Sequence, residues 1–249
     1  MAGSVTPLLE VRDLRKTFRK VAAVDGVSFS VGAGELLGFI GPNGAGKSTT
    51  VKIITGQLLA DAGQVLVDGH DILAEPLAAR RVIGYVPQDL ALYPFLTGRE
   101  LLEFVAEVRG IPAVDAAGSI DQLLKRFRLA DAQNRLTREY SEGMARKLSI
   151  SAALLGNPRL LVLDESLTGL DPRAAAEVKA ILSEELDKGV AVVLVSHILD
   201  VLERLCTRMV LIDRGVTVSQ LDADQLAELS SSGTTLEQYF LDHTDDPDA

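Results

Sequence analysis

The octapeptide GPNGAGKS, residues 41–48, constrains this chain more than any other stretch of its 249 residues. It follows an apolar run with strand character, ELLGFI (35–40), and runs directly into a helical pattern, STTVKIITG. A strand that breaks into glycines and restarts as a helix gathers several backbone N–H groups at one helix N-terminus, where negative charge is favoured. The spacing is G-x-x-x-x-G-K-[ST], a loop that cradles phosphates. Gly44 and Gly46 let the backbone wrap an anion, Lys47 brings a point charge to the β- and γ-phosphates, and Ser48 offers a hydroxyl to Mg²⁺. The segment Gly41, Pro42, Asn43, Gly44, Ala45, Gly46, Lys47, Ser48 and Thr49 is therefore expected to bind a nucleoside triphosphate.

The segments around this loop predict an α/β fold. LLEVRDL (8–14), VSFSV (27–31) and QVLVDG (64–69) read as short β segments near the N-terminus. The middle is helical: Thr97 and Glu100 form a capping box ahead of ELLEFVAEV, and SIDQLLKRF continues the same texture, so a helical insertion is expected over about 89–156. RLLVLDE and VAVVLVS then read as strands buried on both faces, with a helix between them that starts at Asp171 as N-cap and Pro172 at its first position. Strands apolar on both faces call for cover on both sides of a largely parallel sheet.

LLVLDE places Asp164 and Glu165 at the carboxyl end of a buried strand, where such sheets bind ligands. Asp164 is the natural Mg²⁺ partner, directly or through water, and Glu165 can hold a water against the γ-phosphate and take its proton. The net charge of −10 argues against nucleic acid as a partner. Asp242, Asp245, Asp246 and Asp248 make 242–249 an acidic tail after a single domain spanning 1–241. The only cysteine, Cys206, excludes an internal disulfide, suits a reducing compartment and reads as a buried thiol. Neither a secretory signal nor an apolar run of bilayer-spanning length is visible, so the chain is expected to be cytosolic.

In order along the chain, the phosphate loop, YVPQ (85–88), YSEGM (140–144), LLVLDE, GLDP (169–172) and SH (196–197) together resemble the ATP-binding cassette (ABC) family over roughly residues 8–243. The resemblance implies a P-loop NTPase with a RecA-like, mostly parallel core, an N-terminal antiparallel β segment and an α-helical subdomain. It implies that YSEGMARKL is the ABC signature, whose Ser141 and Gly143 act on the nucleotide held by a second cassette in a head-to-tail dimer around two ATP. It implies further that Phe18 stacks on adenine, that Gln88 reaches Mg²⁺ and the nucleophilic water, that His197 hydrogen-bonds the γ-phosphate, and that Asp171 lies at the dimer contact. Lys47, Glu165 and His197 are then the catalytic set, and Ser48, Gln88 and Asp164 the metal set. The partners implied are a second ATPase subunit and an integral-membrane permease, with the chain peripheral on the cytoplasmic face. SHILDVLERLCTRMVLIDRG and the closing TTLEQYFLDHT look more like exporter than importer subunits. The alternatives are a soluble cassette acting in translation or on DNA, and a weakly active regulatory cassette.

Two letters depart from the family's usual motifs. Glu142 stands where a small residue is frequent, and Ser166 where proline usually follows the glutamate. An acid at the rim of the composite site would oppose closure by about 1 kcal/mol in wet surroundings. On that reading, removing the Glu142 carboxylate raises activity several-fold; if the side chain faces solvent, the letter is harmless.

Overall fold

A computed structural model describes residues 7–90, 92–167, 169–196 and 199–244, except for the side chains of Asp200, Val201 and Arg204. Two sheets carry the architecture. The first is antiparallel, in the order β2 (Val21–Val31), β1 (Leu9–Phe18), β4 (Ala62–Val67), β5 (His70–Asp71). The second has the order β10 (Val216–Leu221), β9 (Arg208–Asp213), β3 (Leu36–Ile40), β8 (Ala191–Val195), β7 (Leu160–Asp164), β6 (Ile83–Val86). From β9 to β6 every neighbouring pair is parallel, and β10 returns antiparallel at the edge.

Strand periodicity divides the buried side chains of the larger sheet into two cores. Leu36, Ile40, Leu161, Leu163, Val192 and Leu194 point to one face, where they meet Leu102, Ile120, Leu124, Phe127, Leu148 and Leu182 from helices. Leu37, Phe39, Leu160, Val162, Val193 and Val195 point to the other, against the antiparallel sheet and the Lys47–Ile54 helix. All five residues of β3, of β7 and of β8 are buried, as the apolar runs predict, including Asp164 at the end of β7.

Between β6 and β7 the chain forms the helices Gly98–Val108, Ala113–Arg126 and Glu142–Leu154. The Thr97–Glu100 capping box forms as expected. Ion pairs at the margins of this helical layer tie it to the Pro172–Asp187 helix. Arg126 reaches Glu184 and Glu185 at 2.7 and 2.8 Å, and Lys147 reaches Glu177 at 2.6 Å. Lys147 also holds the Glu177 carboxyl below its ordinary range. Gly84 of β6 lets the Glu142–Leu154 helix approach the sheet, because a Cβ there would lie 2.4 Å from the carbonyl oxygen of Ala153.

Two elements extend the sequence reading. YVP belongs to the last residues of β6 and the loop after it, so the parallel sheet continues up to the helical insertion. At the other end, the Leu236–His243 helix includes Asp242, which accepts a 2.8 Å hydrogen bond from Gln238; regular structure thus passes the expected boundary at 241, while 245–249 lie outside the described residues. Cys206 packs its sulfur toward Gly38, and burial pushes its thiol up, in line with an inert role.

Phe127 is fully buried where the helical layer meets the sheet. Phe127→Ala should destabilise the chain by about 3–5 kcal/mol, because the large cavity cannot collapse fully. Urea unfolding of the two proteins side by side measures this.

Candidate nucleotide site

The parallel order β3, β8, β7 brings the carboxyl ends of these strands to one edge of the sheet, and the predicted phosphate loop and acids meet there. The loop leaves β3 and enters the Lys47–Ile54 helix through Gly46, at φ 102° and ψ 2°, a backbone region that only glycine enters without strain. A Cβ at Gly46 would stand 2.3 Å from the carbonyl oxygen of Ala23 in β2. Gly46, at the N-cap, has no side chain with which to cap this helix. Gly215, in the β9–β10 turn, buttresses the loop: its N–H donates to the Ala45 carbonyl at 3.0 Å, and its own carbonyl accepts from Asp25 at 2.7 Å.

The cavity above the loop has a volume of about 420 Å³. Asn43, Gly44, Gly46, Lys47, Ser48 and Thr49 line one side, Asp164 and Glu165 another, and Gln88 and Ala23 complete it. Gly41, Pro42 and Ala45 shape the loop from behind; Lys47 Nζ donates to the carbonyls of Gly41 and Pro42 at 2.5 and 2.9 Å. Burial lowers the Lys47 pKa, against the opposing pull of Glu165 and Asp164. Asp164 is 5% exposed, and burial, with the Glu165 charge beside it, pushes its carboxyl up to about 6 despite Lys47. A carboxylate and an ammonium held together out of water, each displaced from its ordinary range, form a site suited to anion and cation together.

Glu165 lies just past β7 in the left-handed region at φ 50°, a conformation that costs a non-glycine residue about 1–3 kcal/mol. Its N–H donates to the carbonyl of Val195 in β8 at 2.9 Å.

Other predicted residues lie apart from this cavity. Phe18 ends β1 on the hairpin that also supplies Ala23; its ring is 47% exposed, with Lys16 Nζ 5.6 Å from the centroid. Ser141 caps the Glu142–Leu154 helix, accepting from Met144 N–H at 3.3 Å, and Gly143 follows in the first turn. Asp171 caps the Pro172–Asp187 helix with two hydrogen bonds of 2.9 Å, from Arg173 and Ala174 N–H. His197 lies outside the described residues.

Two residues near the site were not singled out from the sequence. Tyr85, in β6, has a phenol pushed up to about 12 by burial and by the neighbouring Asp164 carboxylate. Arg146 is 8% exposed and donates through Nη1 to the Glu165 carbonyl at 3.2 Å. The sequence signal for Arg146 was its i, i+4 spacing from Glu142.

The raised Asp164 pKa carries a sign. The folded chain holds this proton more tightly than the unfolded one, so the stabilisation is full below the ordinary carboxylate range and is lost as pH rises through about 6. Asp164→Asn should therefore exceed wild type in stability by about 1–2 kcal/mol near pH 7.5, allowing for solvent screening, and by less near pH 5. Thermal melting without nucleotide or divalent cation gives the comparison.

The comparisons with known proteins agree with this geometry. The family model described as ABC transporter matches residues 24–168. The chain is 34% identical over 243 residues to the linearmycin resistance ATP-binding protein LnrL of Bacillus subtilis, covering 94% of this chain and 78% of LnrL. It is 38% identical over 218 residues to the daunorubicin resistance ATP-binding protein DrrA3 of Streptomyces coeruleorubidus, covering 88% and 69%. Among solved structures, an ATP-binding subunit of an ABC transporter superposes with a TM-score of 0.87 at 32% identity, over 94% of this chain and 98% of the other. A phosphate loop facing two acids across β8, on a fold shared with that subunit over nearly its whole length, has one reading: the chain belongs to the ABC transporter family, as one of its ATP-binding, ATP-hydrolysing cassettes.

Proposed function

We propose that this ATPase drives a separate integral-membrane permease from the cytoplasmic face, in export rather than import, as one of two cassettes that close head-to-tail on two ATP. The observation that carries the chemistry is the meeting of Lys47, Ser48, Gln88, Asp164 and Glu165 around one cavity. The resistance names of LnrL and DrrA3 support export. No helix among the described residues is long and apolar enough to cross a membrane, which agrees with a separate permease.

Each residue then has a physical task. The N–H groups from Gly44 to Thr49 hold the β- and γ-phosphates, and Lys47 leaves the Gly41 and Pro42 carbonyls to neutralise them. The hydroxyl of Ser48, the amide of Gln88 and the carboxylate of Asp164 are a hard oxygen donor set facing one space, and a carboxyl held up by burial gains from a nearby cation. Mg²⁺ bound there would neutralise charge on the phosphate oxygens. Glu165 orients the attacking water and takes its proton, while His197 hydrogen-bonds the γ-phosphate. Phe18 stacks on the adenine from the tip of its hairpin.

Ser141 and Gly143 serve the other subunit's nucleotide. Support comes from their place at a capped helix N-terminus that does not line the chain's own cavity. Asp171, exposed at the start of the next helix, belongs to the same dimer contact.

Glu165→Gln should keep ATP affinity, abolish most turnover and yield an ATP-stabilised dimer, whereas Lys47→Ala should weaken nucleotide binding itself. Phosphate release and equilibrium binding separate these outcomes; full turnover in Glu165→Gln would remove the assigned base. Head-to-tail use of the signature has its own test. Chains carrying Lys47→Ala and chains carrying Ser141→Arg should each be inactive alone and should recover activity when mixed, because the mixed dimer contains one intact composite site. Absence of recovery under conditions that exchange subunits of the wild-type protein counts against a signature acting across the dimer.

A further inference from the structure

Of the two letters that depart from the family's usual motifs, Glu142 contacts a buried guanidinium, and Ser166 follows the residue whose carbonyl that guanidinium holds. Arg146, on the Glu142–Leu154 signature helix, reaches toward the end of β7. Its Nη2 donates to Glu142 Oε1 at 3.3 Å, and its Nη1 to the carbonyl of Glu165 at 3.2 Å. The Glu142 side chain is 63% exposed and does not line the cavity above the chain's own phosphate loop. It lies over Gly169, where a Cβ would stand 2.5 Å from Oε1. Ser166, next to Glu165, is fully buried. Its Oγ and Arg146 Nε have no hydrogen-bond partner among the described residues.

We propose that Glu142 and Arg146 form a latch within the subunit that positions Glu165, with Glu142 supplying the charge that lets Arg146 stay buried on the Glu165 carbonyl. This rests on the reading of Glu165 as the general base. The physical need for such a latch is specific. Glu165 occupies a left-handed conformation that a glutamate does not choose unaided. Two backbone bonds, one to Val195 from its N–H and one from Arg146 to its carbonyl, hold the peptide units before and after Glu165, which fixes the backbone from which its side chain enters the cavity. A guanidinium that is nearly fully buried with Nε unpaired needs a compensating charge. Glu142, four residues back on the same helix, provides it. The acid in YSEGM is therefore a support of catalysis, the reverse of the expectation that it opposes closure. The structure gives no account of the serine at 166 beyond its burial.

The test is a double-mutant cycle on the purified chain, with ATPase kcat and KM, equilibrium nucleotide binding and melting temperature measured for each variant. Glu142 is exposed enough that Glu142→Gly should fold. Its kcat should drop by about tenfold, within what a small misplacement of a catalytic group produces, with KM and nucleotide affinity unchanged. Glu142→Gln, which keeps an acceptor, should lose less. Arg146→Met should lower kcat by a similar factor, and adding Glu142→Gly to it should change nothing further, the non-additivity expected of one device. Activity in Glu142→Gly at or above wild type, or additive losses in the double variant, would overturn the latch. Glu165→Gln run in parallel separates the two readings: if it keeps full turnover, the base and the latch fail together. If it is inactive while the cycle is additive, only the latch fails.

Discussion

Everything at the site depends on β3, β7 and β8 being parallel, adjacent and buried on both faces. Parallel strands deliver their carboxyl ends to the same edge, so the phosphate loop after β3 and the acids at the end of β7 meet although more than a hundred residues separate them. Burial on both faces makes the register rigid, because sliding any strand by one residue would exchange the residues of the two cores. The antiparallel sheet and the helical layer are thus the two covers that this sheet requires. The first also supplies Ala23 against Gly46, and the second carries the signature helix.

Burial that secures the strands also sets the electrostatics. Lys47 and Asp164 lie at the rim of the core, close enough to water for ligand entry and far enough from it that each disfavours its own charge. Each displacement is only partly offset by the other's charge: burial outweighs the pull of Asp164 and Glu165 on Lys47, and burial with the Glu165 charge outweighs the pull of Lys47 on Asp164. On the proposed reading, a triphosphate with its cation would supply an anion to Lys47 and a cation to Asp164 at once.

Arg146 links this site to the opposite layer. It joins the signature helix, which faces away from the chain's own cavity, to the backbone of the residue read as the base. Glu142, at the start of that helix, lies against Gly169 of the loop that leads to Asp171.

The sequence by itself determined the local pieces, since each is written in contiguous residues. Gly46 before Lys47 demands the loop-to-helix turn, Thr97 with Glu100 and Asp171 with Pro172 demand helix starts, and LLVLD permits little but a buried strand. The family resemblance then connected these pieces in the right order. What the tertiary structure alone decided is what each piece faces. No pattern along the chain shows that β8 separates β3 from β7, that Asp164 is buried beside Glu165 and facing Lys47, or that Arg146 reaches a carbonyl nineteen residues away. Glu142 shows the limit most plainly. Its charge and its position in the motif were legible, but its effect has opposite signs toward a phosphate and toward a guanidinium. Only packing places it at 3.3 Å from Arg146, because the direction of a side chain is set by its neighbours in space.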